Sequence, residues 1–271
     1  MLLTKMISNI LISTNLLFGN LDYFEIKPQN NIDNLKTFSN TNEGLNNLIK
    51  SNDLIFYGET HNQLEDKLQL EILLDYTRRY STDSNIFLGL EMVSSDKQRI
   101  LDEFNNNKID SSLLMNKLNW DNNWRYLKDG YQQVFDNARF NKIKLVGLNS
   151  PETINEMFRD DLSFNKNFIE NDNLISFIKT IGEYHNLSDK KLISKFYQIN
   201  LLWETWMASE IENYLRIYPN SKMIVWTGAQ HSKSNGIPKI LSKVYKDYNF
   251  KLINITPLTD EDYFGKVITK K

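Results

Sequence analysis

The sequence has no cysteine and only three histidines among 271 residues. Without a thiol there can be no disulfide, thiolate zinc site, iron–sulfur cluster, cysteine nucleophile or cysteine-borne lipid anchor. Any metal chemistry must use oxygen and imidazole donors, which favours harder ions or haem over a structural zinc knot. Excess charge of one sign is also missing. The 32 Lys and Arg nearly balance the 34 Asp and Glu, for a net charge of −2, which argues against nucleic acid as a partner. The glycines form neither of the usual phosphate-binding loops and no Gly-x-Ser-x-Gly elbow occurs, so kinase, NAD-dependent and serine-hydrolase chemistry is not expected. No apolar run reaches the roughly 20 residues that a membrane span needs.

What is present is ample material for a core, with 41% hydrophobic residues. Residues 1–20, "MLLTKMISNILISTNLLFGN", carry an early lysine and a mostly apolar run from Met6 to Phe18 that ends near Gly19. This is the pattern of a secretory signal peptide. Beyond it, "LIFY" (54–57), "IFLGLEM" (86–92), "IKLVGLN" (143–149), "KMIVWTG" (222–228) and "FKLINITPL" (250–258) read as strands. Between the first two, Leu68, Ile72, Leu73 and Tyr76 recur at helical spacing and predict the buried face of a helix over 65–80. Ser95 is expected to cap the next helix. Near-continuous apolar strands separated by helices predict a single α/β domain over 21–271, with a mostly parallel sheet covered by helices. The helical stretches at about 107–140 and 160–218 exceed what a crossover needs and are expected to form a helical cap subdomain.

In such a sheet, functional groups gather just past the carboxyl ends of the strands. There the sequence repeats itself: "DLIFYGETH" and "KMIVWTGAQH" each end in Gly-x-x-His. Gly58 and Gly228 are expected to let the backbone turn sharply. His61 and His231 then swing over the sheet edge beside Glu59, Glu91, Asn149, Ser150 and Gln230. Two imidazoles with the carboxylates of Glu59 and Glu91 suit a divalent-metal site with open positions, and hence a metal-dependent hydrolase of peptide or ester bonds. Glu91 lies inside an apolar strand, where a carboxylate needs a metal, a cation such as Arg99, or backbone amides. Trp120, Trp124, Tyr126, Tyr131, Tyr197, Trp203 and Trp206 read either as core of the cap or as walls of a slot for a flat apolar ligand such as haem, with a tyrosinate or histidine on the iron. His185 is expected at the surface, at a helix end.

The stretches "YGETH", "LGLEM", "WDNNW" with Tyr131, "GLNSP", "LLWETWMA" and "GAQHSKSNGIP" stand in an order that resembles the ChaN-type haem-binding uptake proteins. Those are iron-regulated bacterial lipoproteins, in a superfamily shared with TIKI-type metalloproteases and erythromycin-esterase-like enzymes. The resemblance covers residues 45 to 258. It implies haem bound between the two subunits of a homodimer, haem or iron acquisition in the bacterial envelope, and an outer-membrane haem receptor as partner. It places Glu59, His61, Glu91, Glu204 and His231 at the family's polar positions. Tyr131, Tyr197, Trp203 and Glu204 are the expected haem contacts. The chain departs from the family in two ways. It lacks the lipid-bearing cysteine, so a periplasmic or envelope location without that anchor is expected. In "GETHNQLEDK", Asn62 stands where many members have an acid and the following histidine is missing, which weakens any metal site. Haem binding is the favoured reading, with the hydrolase as the alternative.

Overall fold

The computed structural model describes residues 49–50, 52–61, 63–81, 85–124, 126, 128–160, 190–233, 235–244, 252–255 and 265–268. The expected signal peptide and His185 lie outside them. Strands β1 (Leu54–Glu59), β2 (Ile86–Ser94), β3 (Lys144–Asn149), β4 (Lys222–Gly228), β5 (Leu252–Ile255) and β6 (Gly265–Ile268) form one sheet in the order β3-β2-β4-β1-β5-β6. Every neighbouring pair is parallel except β5 with β6. The α/β architecture therefore stands as expected. The antiparallel β6 is an addition, since "GKVI" is too short for an alternating pattern to register.

All six residues of β1 and all seven of β4 are buried, because helices cover both faces of the sheet. Alternate side chains sort into two cores. Ile55, Tyr57, Leu88, Leu90, Ile224 and Trp226 face one side; Leu54, Phe56, Phe87, Met223 and Val225 face the other. The first face is covered by α1 (Leu64–Tyr80), α2 (Gln98–Asn105), α3 (Ser111–Lys117), α4 (Trp120–Asn123) and α5 (Lys128–Phe140). A short α6 (Glu152–Asp160) follows β3, and the 28-residue α7 (Lys190–Ile217) covers the second face with α9 (Ile237–Val244). Between them, α8 (Ala229–Ser232) directly follows β4. Of the described helices in the stretches expected as a cap, α3 to α5 lie on the first face and α7 on the second.

Two local readings change. On α1 the inward residues are Asp66, Lys67, Leu70, Leu73, Leu74 and Thr77, whereas Leu68 and Ile72 are 48% and 54% exposed. The helix is rotated so that its first turn seats a lysine and an aspartate against the sheet edge, an arrangement that periodicity of apolar residues cannot show. Ser95 is not a helix cap. It opens a 3-10 turn (Ser95–Lys97), and its Oγ accepts the indole N–H of Trp206 at 3.0 Å.

Candidate functional site

The chain runs outward from β1 to β2 and β3, then returns to insert β4 between β2 and β1. The three central strands therefore deliver their carboxyl ends side by side. Register pairs Glu59 with Gly228, and β2 flanks β4 as far as Leu90 opposite Trp226. Glu59 and Glu91 so stand on either side of Gly228.

Glu59 is 2% exposed and is held from three directions. Its Oε1 lies 2.8 Å from His61 Nδ1 and accepts the Tyr131 hydroxyl at 2.5 Å, while Oε2 lies 3.0 Å from the Lys67 ammonium. Burial alone would raise the carboxyl's pKa. The His61 hydrogen bond, the Lys67 charge and the Tyr131 hydrogen bond outweigh it and hold Glu59 below the usual carboxylate range. Lys67 also donates to the His61 carbonyl at 2.5 Å. The Thr60 amide donates to Asp66 at 2.6 Å, so the β1–α1 turn is tied at both ends.

The second half of the site centres on His231, which is 7% exposed. Its Nδ1 lies 3.0 Å from Glu204 Oε1 and its Nε2 3.5 Å from Glu91 Oε1. Burial pulls the imidazole's pKa down, but Glu91 and Glu204 together carry it up to about 9. His231 is consequently an imidazolium at neutral pH. Burial in turn raises the Glu204 carboxyl. Glu91 Oε2 accepts the Gly228 amide at 2.5 Å, so a backbone amide and His231 fill the place for which Arg99 was a candidate.

The glycines work by leaving space rather than by turning. None of the described glycines has a positive φ. A Cβ on Gly228 would lie 3.0 Å from His61 Nε2 and 3.6 Å from Glu91 Oε2, and one on Gly58 would press on α8 at Ala229 Cα, 2.9 Å away. The missing side chain of Gly228 lets His61 and Glu91 both close on its backbone. Gly228→Ala is expected to displace the His61 ring from Glu59 and destabilise the fold by about 1–3 kcal/mol, as overpacking does. Urea unfolding with the His61 ring resonances as a second readout checks this.

Chemically, Glu59 engages His61 at Nδ1, and the His231 imidazolium can only donate. A metal would need imidazole lone pairs, and both His231 nitrogens face carboxylates, Nδ1 toward Glu204 and Nε2 toward Glu91. Among the described residues, no group of three or more His, Asp or Glu could hold a metal ion. Glu59, His61, Glu91 and His231 stand at one sheet edge in two ion-pair sets, Glu59 with His61 and Lys67, and His231 with Glu91 and Glu204.

The expected haem contacts separate. Glu204 belongs to His231. The Tyr131 ring is fully buried, stacked 4.9 Å from Trp226. Burial and Glu59 push its phenol pKa far up, so it stays protonated and does not fit the part of a tyrosinate ligand. Trp203 donates to Asn155 at 3.0 Å. Tyr197 is half-buried on α7, seven residues before Glu204 and on the same helix face, roughly 10 Å further out. At the mouth, the half-buried rings of His61, Trp124 and Tyr126 cluster within 5.4 Å of one another. Asn149 donates to the Glu91 carbonyl at 3.0 Å, and Gln230 points to solvent, where it accepts from Lys233. Sequence reasoning missed Lys67, because a lysine in "LEDKLQ" has the look of ordinary surface.

Among solved structures, the chain is similar to one described as "Cofacial heme binding to ChaN of Campylobacter jejuni", with 21% identity, a TM-score of 0.68 and coverage of 82% of this chain and 88% of that one. It is also similar in fold to the C-terminal region of Pasteurella multocida toxin, with 11% identity, a TM-score of 0.54 and coverage of 98% of this chain and 32% of that one. That structure is described as having a thiol-protease-like catalytic triad, chemistry for which this chain has no thiol. No curated protein matched the chain significantly. The family profile described as "Haem-binding uptake, Tiki superfamily, ChaN" matches residues 45–241, well over half the chain and every residue of the Glu59, His61, Glu91, Glu204 and His231 network: the chain belongs to the ChaN family of haem-binding uptake proteins in the Tiki superfamily.

Proposed function

We propose that this chain binds haem at the carboxyl edge of its sheet and serves haem or iron acquisition in the bacterial envelope, working as a homodimer closed around the ligand. The family match over residues 45–241 carries this reading. The relative from Campylobacter jejuni is described as binding haem cofacially, an arrangement that two copies sharing one ligand face would produce. The surface supports it in physical terms. Beside the His61, Trp124 and Tyr126 rings, α1 presents Leu64 at 53%, Leu68 at 48% and Ile72 at 54% exposure, an apolar stripe at i, i+4, i+8 that a flat macrocycle and a second subunit would cover. No helix among the described residues is long and apolar enough to cross a membrane. Hand-over to an outer-membrane haem receptor would place the chain on the periplasmic side.

Haem needs an axial donor with a lone pair in reach. Of the expected contacts, Tyr197 fits, being half-buried and standing outward of Glu204; Glu204 would flank the ligand rather than bind iron, and Trp203, bonded to Asn155, would stand apart from it. The bound iron would supply the Lewis acidity, and the protein's share is to present one phenol and an apolar face. An absorbance titration with haemin, read with the mass in solution, tests this. A saturable Soret shift accompanied by passage from monomer to dimer is expected. Tyr197→Phe should weaken binding by about tenfold or more, and Tyr131→Phe should leave the spectrum unchanged. A flat titration would sink the function, and loss of the Soret shift in Tyr131→Phe would sink the ligand assignment.

A further inference from the structure

We propose that the cavity beside Glu91 is a second ligand site, which shares the Trp124 wall with the haem face and is shaped for a neutral, hydroxylated ring of monosaccharide size. The cavity holds about 490 Å³ and opens past the carboxyl ends of β2 and β3, bounded by Glu91 and Asn149 on the sheet, Asn119, Asn123 and Trp124 on the cap, and Trp203 on α7. That volume lies in the range of small-molecule sites, and the place is where open α/β sheets bind ligands.

The sheet is deformed to make it. Leu90 pairs with Gly147 but Ser94 pairs with Asn149, so β2 advances four residues while β3 advances two. Such a bulge re-aims side chains and is frequent beside functional sites. Here it lets the Ser94 carbonyl approach Gly147, where a Cβ would lie 2.7 Å from it. It also turns the buried Glu91 into the cavity wall.

Charge on the walls is spoken for. Lys97 pairs with Asp96 at 3.3 Å, Lys117 with Glu103, and Glu91 with His231, while Glu152 accepts from the Asn155 amide at 3.3 Å. Among the described residues each lysine on the wall has an acid within 4 Å, so a neutral ligand fits best. What remains on offer is a second acceptor position on Glu91, the outer atoms of the exposed amides Asn119 and Asn123, which otherwise accept from Asn122 and donate to the Leu118 carbonyl, and the indoles of Trp124 and Trp203 from two different elements. Flat apolar faces beside amides and one carboxylate match a sugar ring, which has an apolar C–H face and a rim of hydroxyls.

The test is a titration of the full, haem-free chain with glucose, galactose, mannose and N-acetylglucosamine, read by ligand-observed NMR and tryptophan fluorescence. At least one of the four is expected to bind saturably. Trp203→Leu and the rim variant Asn123→Leu should each weaken it by about tenfold, in proteins whose thermal melts show them folded. The proposal is overturned if none of the four binds, if both folded variants bind as wild type does, or if haemin displaces the sugar, which would make the cavity the haem site. Sugar binding by a chain that ignores haemin would sink the haem reading and leave this one standing.

Discussion

Replacing Lys67 with methionine is expected to destabilise the protein by about 3–5 kcal/mol, the cost of leaving one member of a buried ion pair without its partner. The Lys67 and Glu59 side chains are 4% and 0% exposed, so water cannot take over the ammonium's role. The substitution also removes the donor to the His61 carbonyl and frees the turn that carries the imidazole. Methionine keeps the length of the stem that packs over the Tyr131 ring, whose centroid is 4.7 Å from the ammonium, so the effect reads charge rather than volume. Adding Glu59→Gln should recover much of the loss, because the orphaned carboxylate is then gone. Urea unfolding of the four proteins of this cycle measures the coupling. A Lys67→Met loss of about 0.5 kcal/mol or less, the size of an exposed pair, would show that Glu59 does not depend on this charge. The acid side of the stability curve gives a second check. Glu59 titrates below its ordinary value in the folded state, so its contribution is present above the unfolded pKa and lost as pH falls through the folded one. Without Lys67 that loss should begin at higher pH.

The strands were legible because both faces of the sheet are covered. Burial on two sides writes itself into a sequence as unbroken apolar runs, and "LIFY", "IFLGLEM" and "KMIVWTG" each became a strand of the parallel core. The polar residues at their ends could be located for the same reason, since they interrupt those runs. Less could be read wherever burial depends on partners distant in sequence. Lys67 is buried by Glu59, eight residues away, and by Tyr131, on another helix. Periodicity counts apolar side chains, so it put Leu68 and Ile72 on the inner face of α1 and passed over the lysine that is there. Tyr131 had the composition of a haem contact, but only the fold could show its hydroxyl sealed against Glu59. Gly228 looked like a turn residue and proved to be the space into which the His61 ring packs. In each case the missing information was a contact across the sheet edge.

His231 is expected to make the protein lose stability on the alkaline side of neutrality. Its folded pKa is about 9, against an unfolded value near 6.5. A group raised in this way contributes stability that is fully present below the unfolded pKa and disappears as pH rises through the folded one. The contribution is on the order of 3 kcal/mol and should fade between about pH 6.5 and 9. His231→Gln removes the cation and leaves Glu91 and Glu204 facing each other in a buried site. At neutral pH this variant should be less stable than wild type by about 3 kcal/mol or more. Its remaining pH response should keep the same direction but pass from the imidazole to a carboxyl. Burial already raises the Glu204 carboxyl, and with the imidazolium gone that carboxyl should take up a proton as pH falls, so that acidification stabilises the variant. Glu204→Gln in the same background should abolish this acid-side gain, because one carboxylate can remain on the Gly228 amide that it already accepts from. Urea midpoints for the three proteins between about pH 5 and 10 decide the matter. A wild-type curve flat through this range would mean that His231 is neutral when folded, and that the two acids are held apart by something other than its charge.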